Sequence, residues 1–349
     1  MTIAQNLTLL CLLAPFVAGA QPLDVYGSLT GKTVLMPTAL PPLPDSIIAG
    51  VPPDKANAIA RIEKALCEQG LEVLQDGPHF VRVFPKQARD SLTNAPLRGA
   101  ELAGTKGSEA SKGQEVLGPG MVHFMNADLS QVLGIYAQMS QRTILRPITL
   151  PAPTFNLKTQ SVLTKDEVLY AFETVLALNG ICVVHDGAKL AQMVPMAQRA
   201  QVRTRAPKPE PGAKLFDPKK VPSVGVSTPL RPLTEVERIE REFERLRKAF
   251  YEFMHFPDPT KPPARRLLGL YADLAGKTAV SSKNLDGTGI WFRVETPLTS
   301  SELLYAIETT FALHNLAIVP VDERKIRLGH ISEVLGNNGG RQERVPPKP

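Results

Sequence analysis

The chain has few of the residues that usually carry chemistry: three cysteines, one tryptophan and six histidines among 349 residues. Cys11 lies in the apolar N-terminal segment, which leaves Cys67 and Cys182 for the rest of the chain. Two cysteines exclude a disulfide framework and a zinc site made of cysteines. Both lie among apolar residues, so the sequence allows one disulfide in an oxidising compartment or, as the favoured interpretation, two small buried thiols.

Sequence motifs of hydrolases and metalloenzymes are also missing. The chain contains neither H-E-x-x-H nor G-x-S-x-G, and no two histidines have the spacing of metal ligands on one helix or hairpin. We therefore predict that the protein is not an enzyme and has no catalytic residue, no metal site and no cofactor.

One short stretch is close to a phosphate-binding loop. Such a loop needs four residues between its glycines, whereas three separate Gly27 from Gly31. The stretch TGKT (30–33) has two counterparts further on, SQRT (140–143) and AGKT (275–278). We interpret all three as helix ends, where glycine relieves a left-handed backbone and a basic residue lies near the carbonyl pole. Nucleotide binding is therefore not expected.

No apolar run is long enough to cross a bilayer as a helix. The apolar run at residues 7–17 is followed by a small-x-small cleavage signal at 18–20, although no positive charge precedes it. We predict that residues 1–20 are a secretory signal peptide and that the mature chain does not span a membrane.

The chain contains an internal repeat. Shifted by 135 residues, 136–184 matches 271–319 at fifteen of forty-nine positions. A shift of 110 residues relates residues 24–85 to the same pattern and matches Tyr26 with Tyr136. We predict repeat 1 at 21–85, repeat 2 at 121–196 and repeat 3 at 254–330. Cleavage after residue 20 would truncate repeat 1, so either a neighbour completes it or the true start lies elsewhere.

The middle repeat predicts a small mixed domain. Strands are expected at 121–125, 143–147 and 154–160, and helices at 126–141 and from Thr164 to the glycine at 180. Asn126 or Asp128 is expected to cap the first helix, and Thr164 to begin the second with a capping box. The fold class is α+β: three repeated β-α-β-β-α-β-β sandwiches, with two helices on one face of a small sheet.

Four tyrosines recur on or beside apolar helix faces, and we attribute them to ring burial rather than to catalysis. They are Tyr136, Tyr170, Tyr271 and Tyr305. Glu173 and Glu308 are expected to face water or to pair locally.

The segments between the repeats differ in composition. Residues 86–120 are predicted to be a flexible linker, and 331–349 a disordered tail. Eight basic and two acidic residues lie between 197 and 232, a difference equal to the chain's net charge of +6. The stretch 197–233 therefore predicts a solvated basic, proline-rich linker, with a nucleic-acid arm as the less favoured interpretation.

An amphipathic helix is predicted at 234–253. Its apolar residues step by three and four, which makes a narrow seam: Val236, Ile239, Phe243, Leu246, Phe250 and Phe253. The seam would either pair with a copy of itself or a partner helix, or pack on repeat 3. Trp291 and Arg293 are predicted on the outer face of a strand whose inward residues are Ile290, Phe292 and Val294. Trp291 is a candidate protein contact, unless it lies beneath the amphipathic helix.

These apolar patterns resemble the small periplasmic domains of bacterial secretins and the related short N-terminal domain shared with TonB-dependent receptors. The resemblance rests on 122–147 and 162–195, with weaker copies at 24–85 and 254–330. The layout is also similar to a KH domain, but the GxxG loop that clamps nucleic acid is missing, so no nucleic acid is expected. Members of the secretin-like family build periplasmic rings or bind other proteins.

The resemblance implies a non-catalytic scaffold of the cell envelope, located in the periplasm or secreted or associated with the outer membrane. Its partners would be secretion or pilus components, or further copies of itself. Only a polar tail follows residue 330, so we expect no outer-membrane pore domain. The alternative is a ligand- or signal-binding module like those of TonB-dependent receptors.

Overall fold

The computed structural model describes residues 22–41, 43–49, 52, 54–89, 116–220, 234–255, 263–281, 285 and 289–338. Within these ranges the chain is mixed α+β, with helices between small sheets. It divides into two compact units, the first made of residues 1–140 and 151–182 and the second of residues 141–150 and 183–349. The predicted signal peptide and most of the 86–120 linker lie outside the described residues.

The helices are short, apart from one of 21 residues. They are α1 (Pro22–Thr30), α2 (Lys55–Glu68), α3 (Leu129–Ser140), α4 (Lys165–Leu178), α5 (Glu235–His255), α6 (Pro263–Ala275), α7 (Ser300–Leu313) and α8 (Ile331–Asn338). Short 3-10 turns lie at Asp45–Ile47, Lys86–Ala88 and Met196–Gln201.

The strands have two to six residues. They are β1 (Thr33–Leu35), β2 (Leu71–Asp76), β3 (Phe80–Pro85), β4 (Val116–Leu117), β5 (His123–Ala127), β6 (Thr143–Leu145), β7 (Phe155–Lys158), β8 (Leu163–Thr164), β9 (Ile181–Asp186), β10 (Leu190–Pro195), β11 (Leu215–Phe216), β12 (Thr278–Ser281), β13 (Leu298–Thr299), β14 (Leu316–Pro320) and β15 (Lys325–His330).

Three of the sheets have three strands each and share one strand order. The orders are β1-β3-β2, β6-β10-β9 and β12-β15-β14. In each sheet a strand that follows a helix runs parallel to the second strand of a hairpin. The pairs β4-β8, β5-β7 and β11-β13 form separate two-stranded sheets. The prediction of a single small sheet per repeat is therefore wrong for β5 and β7, which among the described strands pair with each other and with no third strand.

The capping residues in the sequence explain where α4 and α7 begin. The Glu167 N–H donates to the Thr164 hydroxyl at 3.3 Å, and the Thr164 N–H donates back to the Glu167 carboxylate at 2.7 Å. Thr299 and Glu302 make the same two bonds at α7, at 3.2 and 2.8 Å. The predicted capping box at Thr164 is thus present. At α3, Asp128 rather than Asn126 caps the helix, by accepting from the Gln131 N–H at 2.8 Å.

The ends of α1, α3 and α6 take one left-handed residue each, at Gly31 (φ 70°), Gln141 (φ 55°) and Gly276 (φ 63°). The predicted helix ends are therefore present at TGKT, SQRT and AGKT. In the first two, the basic residue that follows also bonds to a hairpin turn. Lys32 Nζ donates to the Gly77 carbonyl at 3.1 Å, and an Arg142 Nη atom donates to the Gly187 carbonyl at 2.7 Å. Each basic side chain therefore fastens a helix end to a hairpin turn.

Each unit has its own hydrophobic core. In the first, α1 and α2 pack on the β1-β3-β2 sheet, where Tyr26, Ile62 and Val83 are fully buried. In the second, α6 and α7 pack on the β12-β15-β14 sheet, and α5 adds Phe250 to the same cluster. The rings of Phe124 and Phe172 meet edge to face at 5.6 Å in the first unit, which joins β5 to α4.

Four segments differ from the predictions. The first strand of repeat 2 lies at 123–127 rather than 121–125, and 289–295 is not a strand although Val294 is buried. Residues 197–220 of the basic linker include β11 and the fully buried ring of Phe216, so this part is not wholly solvated. Helix α8 occupies the start of the stretch that was predicted to be a disordered tail.

Candidate protein interaction surfaces

Three tyrosine hydroxyls donate to glutamates 37 residues further along the chain. The pairs are Tyr26 with Glu63 (2.5 Å), Tyr136 with Glu173 (2.8 Å) and Tyr271 with Glu308 (2.6 Å). They join α1 to α2, α3 to α4 and α6 to α7. Burial, and then the hydrogen bond to the glutamate, raises the pKa of Tyr26 and of Tyr271. The recurring glutamates therefore hold paired helices together, and the partners of Glu173 and Glu308 lie on another helix rather than close by in sequence.

A second kind of tyrosine contact joins sequence repeats, and the first example lies in the first unit. The Tyr170 hydroxyl on α4 donates to the Asp76 carboxylate at the end of β2, and its ring meets Phe80 edge to face at 5.4 Å. Glu167, one turn earlier on α4, lies 3.7 Å from His79 Nε2. Burial, followed by the bond to Asp76, raises the pKa of Tyr170.

The second unit repeats this contact. The Tyr305 hydroxyl on α7 donates to Asp186 at the end of β9, at 2.6 Å. Glu302, one turn earlier, accepts from Lys189 Nζ at 2.9 Å. Burial, followed by the bond to Asp186, raises the pKa of Tyr305. Glu302 is only 5% exposed at its side chain, so the lysine neutralises a nearly buried carboxylate.

An edge threonine gives each contact a third point. The Thr33 hydroxyl on β1 accepts from the Gln160 N–H at 3.1 Å, and the Thr143 hydroxyl on β6 accepts from the Glu295 N–H at 3.1 Å. Both threonines are fully buried. Neither hydroxyl is exposed to water, so both are fixed by the neighbouring segment.

We call these two sets of residues the first and second docking contacts. The first contact comprises Thr33, Asp76 and His79 against Gln160, Glu167 and Tyr170, and the second comprises Thr143, Asp186 and Lys189 against Glu295, Glu302 and Tyr305. The sheet-side residues of the two contacts are related by the 110-residue shift, and the helix-side residues by the 135-residue shift. The helix side has the sequence T-x-x-E-x-x-Y in both cases, so its capping glutamate and its tyrosine face the same neighbour.

Trp291 contacts its own chain. The Arg146 guanidinium lies 4.5 Å from the centre of the half-buried indole ring, a cation–π contact within the second unit. Trp291 also borders a cleft of about 480 Å³ that includes Phe253 near the end of α5. Arg293 is 64% exposed at its side chain, and its Nε lies 2.6 Å from a Glu295 carboxylate oxygen. The structure thus places the tryptophan beside α5 and leaves Arg293 on the surface.

Helix α5 divides into two halves. Towards its C-terminus, Phe243, Leu246, Phe250 and Phe253 pack on the core of the second unit. The Phe216 ring lies 5.1 Å from the Phe243 ring and 5.7 Å from the Phe250 ring. Near the N-terminus, Val236 is 65% exposed and Ile239 is 56% exposed. The predicted seam therefore packs on the unit that contains repeat 3 over most of its length, and its first two residues remain on the surface.

The two cysteines outside the N-terminal segment are in different environments, and no disulfide joins them. Cys182 is buried, as predicted, but Cys67 is exposed, with its sulfur 3.1 Å from Lys86 Nζ. Of the residues that the structure describes, no three His, Cys, Asp or Glu side chains gather as ligands of one metal ion would. None of the described helices has both the length and the apolar character needed to cross a bilayer.

Comparisons with known proteins do not identify the chain. No protein-family model matches it, and no curated protein or solved structure gives a match. The resemblance to secretin domains therefore stays a prediction from the residues themselves.

The sequence contains a signal for the docking contacts. Tyr170 and Tyr305 recur together with Glu167 and Glu302, at the same spacing on α4 and α7. Asp76 and Asp186 recur as well, but as parts of a hairpin turn. Pairing the recurring polar residues of one repeat with those of the next would have suggested a contact between repeats.

Proposed function

We propose that the chain is a non-catalytic scaffold protein of the cell envelope, built from three copies of one secretin-like α+β module, and that it works by docking to other proteins. In this proposal each module contains one three-stranded sheet and two helices joined by a tyrosine–glutamate pair. The matching strand orders and the three pairs at a spacing of 37 residues support the module.

The observation that carries the proposal is the repetition of one three-point contact in two places. The recurring polar residues bond to each other in the docking contacts, so adhesion between segments accounts for their recurrence without catalysis. In each contact a tyrosine, buried at Tyr170 and half-buried at Tyr305, supplies ring area and one directed hydrogen bond, a combination typical of protein recognition surfaces. The same chemistry is suited to binding other proteins.

The proposed partners are components of a secretion or pilus machine, or further copies of the chain, and the proposed location is the periplasm, a secreted form or the outer-membrane surface. Affinity capture from an envelope extract with the full chain as bait tests this directly. Enrichment of a secretin-like pore or of an inner-membrane platform protein is the expected result. Specific turnover of a substrate by the purified chain would contradict the proposal.

The second candidate is a ligand- or signal-binding module, favoured by the cleft beside Trp291. That cleft measures about 480 Å³ and is lined by Trp291, Phe253 and Arg266 among others, a size sufficient for a small molecule. The same capture experiment separates the candidates, because this one predicts a receptor barrel or a small ligand. Indole fluorescence then reports binding at the cleft, since Trp291 is the only tryptophan in the chain.

A further inference from the structure

The β12-β15-β14 sheet carries an exposed counterpart of the sheet-side docking residues. The 135-residue shift places Thr278, Val321 and Arg324 where the second contact has Thr143, Asp186 and Lys189. The β12 edge is open among the described residues: Thr278 is exposed, and Val280 is 46% exposed where Leu145 is 1% exposed. Val321 is 57% exposed, and Arg324 is exposed as well.

The backbone holds this exposed set in the geometry of the two occupied sets. The Thr33 N–H donates to the His79 carbonyl, the Thr143 N–H to the Lys189 carbonyl and the Thr278 N–H to the Arg324 carbonyl, each at 2.8 Å. In all three sheets the edge threonine is therefore bonded to the residue that carries the basic side chain. The third set therefore shares this backbone hydrogen bond with the two docking contacts.

The third set differs from the two docking contacts at the aspartate position, which Val321 occupies, and this difference specifies the partner. Arg324 is the basic residue of the third set. A carboxylate on the partner would pair with it, as Glu302 pairs with Lys189 and Glu167 with His79. Val321 replaces the aspartate, so a tyrosine hydroxyl would find no acceptor there, and an apolar side chain fits instead. Asp322 is the next residue in the turn, where its carboxylate accepts the Arg324 N–H at 2.8 Å and lies 4.0 Å from Lys325 Nζ.

We infer that Thr278, Val321 and Arg324 form the docking face for a further α+β module of another protein, whose helix begins T-x-x-E and has an aliphatic residue three positions after the glutamate. This inference rests on the proposed scaffold function and names the partner's chemistry. A second copy of the chain is not the expected occupant. Its corresponding helix, α2, has Asn57 and Ala60 where α4 and α7 have glutamate and tyrosine, and its Asp54 carboxylate caps the helix by accepting the Asn57 N–H at 2.9 Å, so α2 has no carboxylate at the position that pairs with the basic residue.

The test gives the chain itself the required helix. In the full chain, the triple variant D54T/N57E/A60L rewrites the start of α2 as T-x-x-E-x-x-L. Sedimentation velocity is expected to show concentration-dependent association of the triple variant, because the contact is head-to-tail and leaves a free face at each end. The wild-type chain is expected to show no association through this face. Adding Arg324→Glu should weaken the association about tenfold or more, equivalent to about 1.4 kcal/mol.

Matched variants make the test specific. D54T/N57Q/A60L keeps the shape of the glutamate side chain without its charge and should associate more weakly than the triple variant. Lys248→Glu changes an exposed charge on α5, which contributes no residue to the proposed face, and should have no effect. Circular dichroism and the single variant N57E show whether the rewritten helix folds. A triple variant that folds and stays monomeric, or one that associates regardless of Arg324→Glu, overturns the inference. Wild-type association abolished by Arg324→Glu overturns it too, because the partner is then a second copy. None of these results depends on the capture experiment that tests the scaffold function.

Discussion

The two docking contacts share their geometry and differ in their surroundings. In the first, Asp76 is partly exposed and also lies 3.0 Å from Arg82 Nε. In the second, Asp186 is fully buried and accepts from the Gln192 side chain at 2.7 Å and the Ala206 N–H at 2.9 Å, besides Tyr305. The tyrosine–aspartate link is therefore common to both contacts, whereas burial and the other donors determine how much free energy its loss costs.

The largest effect is expected from removing the buried aspartate. Asp186→Ala removes the buried acceptor that Tyr305, Gln192 and the Ala206 N–H share, and should lower the free energy of unfolding of the second unit by about 3 kcal/mol. Asp76→Ala should cost less, about 2 kcal/mol, because the Asp76 side chain is 10% exposed and bonds to two donors rather than three. Hydrogen exchange read separately over β9–β10 and β2–β3 measures both.

An exposed carboxylate provides the control for this pair. Glu323 is exposed, and Glu323→Ala should change stability by less than about 0.5 kcal/mol. Equal costs for Asp76→Ala and Asp186→Ala would show that burial does not distinguish the two contacts.

The next largest difference concerns the basic residues. Lys189→Ala removes the cation from the nearly buried Glu302 carboxylate and should cost about 2 kcal/mol. His79→Ala should cost less than about 0.5 kcal/mol, because the 3.7 Å pair with Glu167 is partly exposed. Urea unfolding monitored by exchange in each unit gives the two values, and a reversed order would contradict this account of the contacts.

Alkaline pH should weaken both docking contacts. The folded pKa of Tyr170 and of Tyr305 is raised, first by burial and then by the hydrogen bond to an aspartate, so the native state favours the neutral phenol. This stabilisation is fully present below the unfolded tyrosine pKa of about 10 and is lost as pH rises above it towards the folded pKa. Thermal unfolding between pH 8 and 11 should show a falling Tm. The double variant Y170F/Y305F should fall less steeply, and an unchanged slope would contradict the assignment.

The smallest expected difference lies in the two helix caps. Thr164→Ala and Thr299→Ala each remove one capping hydroxyl and should each cost about 1 kcal/mol. Similar values are expected because the bond lengths of the two capping boxes agree within 0.1 Å. Circular dichroism with urea measures the costs, and serine at either position should restore most of the loss. A cost at only one of the two helices would show that the contacts differ at the helix side as well.

Local features of the fold were predictable because they depend on neighbouring residues. The capping box at Thr164 and the helix ends at TGKT, SQRT and AGKT all follow from a few adjacent side chains and their backbone preferences. Apolar spacing also indicated that Phe250 would be buried. The mixed α+β class followed from the same patterns.

Sheet membership and the docking contacts were less predictable. Whether β5 and β7 join a larger sheet depends on edges that come together only in the folded chain, and the pattern within one strand does not encode it. Trp291 was predicted to face outward, and its cation–π contact with Arg146 was not predicted because Arg146 lies 145 positions earlier in the chain. The bonds of Tyr170 and Tyr305 join segments 94 and 119 residues apart, so no periodicity within one repeat reveals them.

The left-handed turn at Gln141 has a consequence for engineering. Glycine occupies the equivalent position at the ends of α1 and α6, and all three residues have nearly the same φ. A side chain in this conformation lowers the free energy of unfolding by about 1–2 kcal/mol, because its Cβ is crowded. Replacing it with glycine removes that cost but lowers the free energy of unfolding by about 0.5–1 kcal/mol, because glycine has more conformational freedom in the unfolded chain. Gln141→Gly should therefore raise the melting temperature slightly while every recognition residue keeps its place, which offers a more heat-tolerant starting chain for crystallisation and binding work.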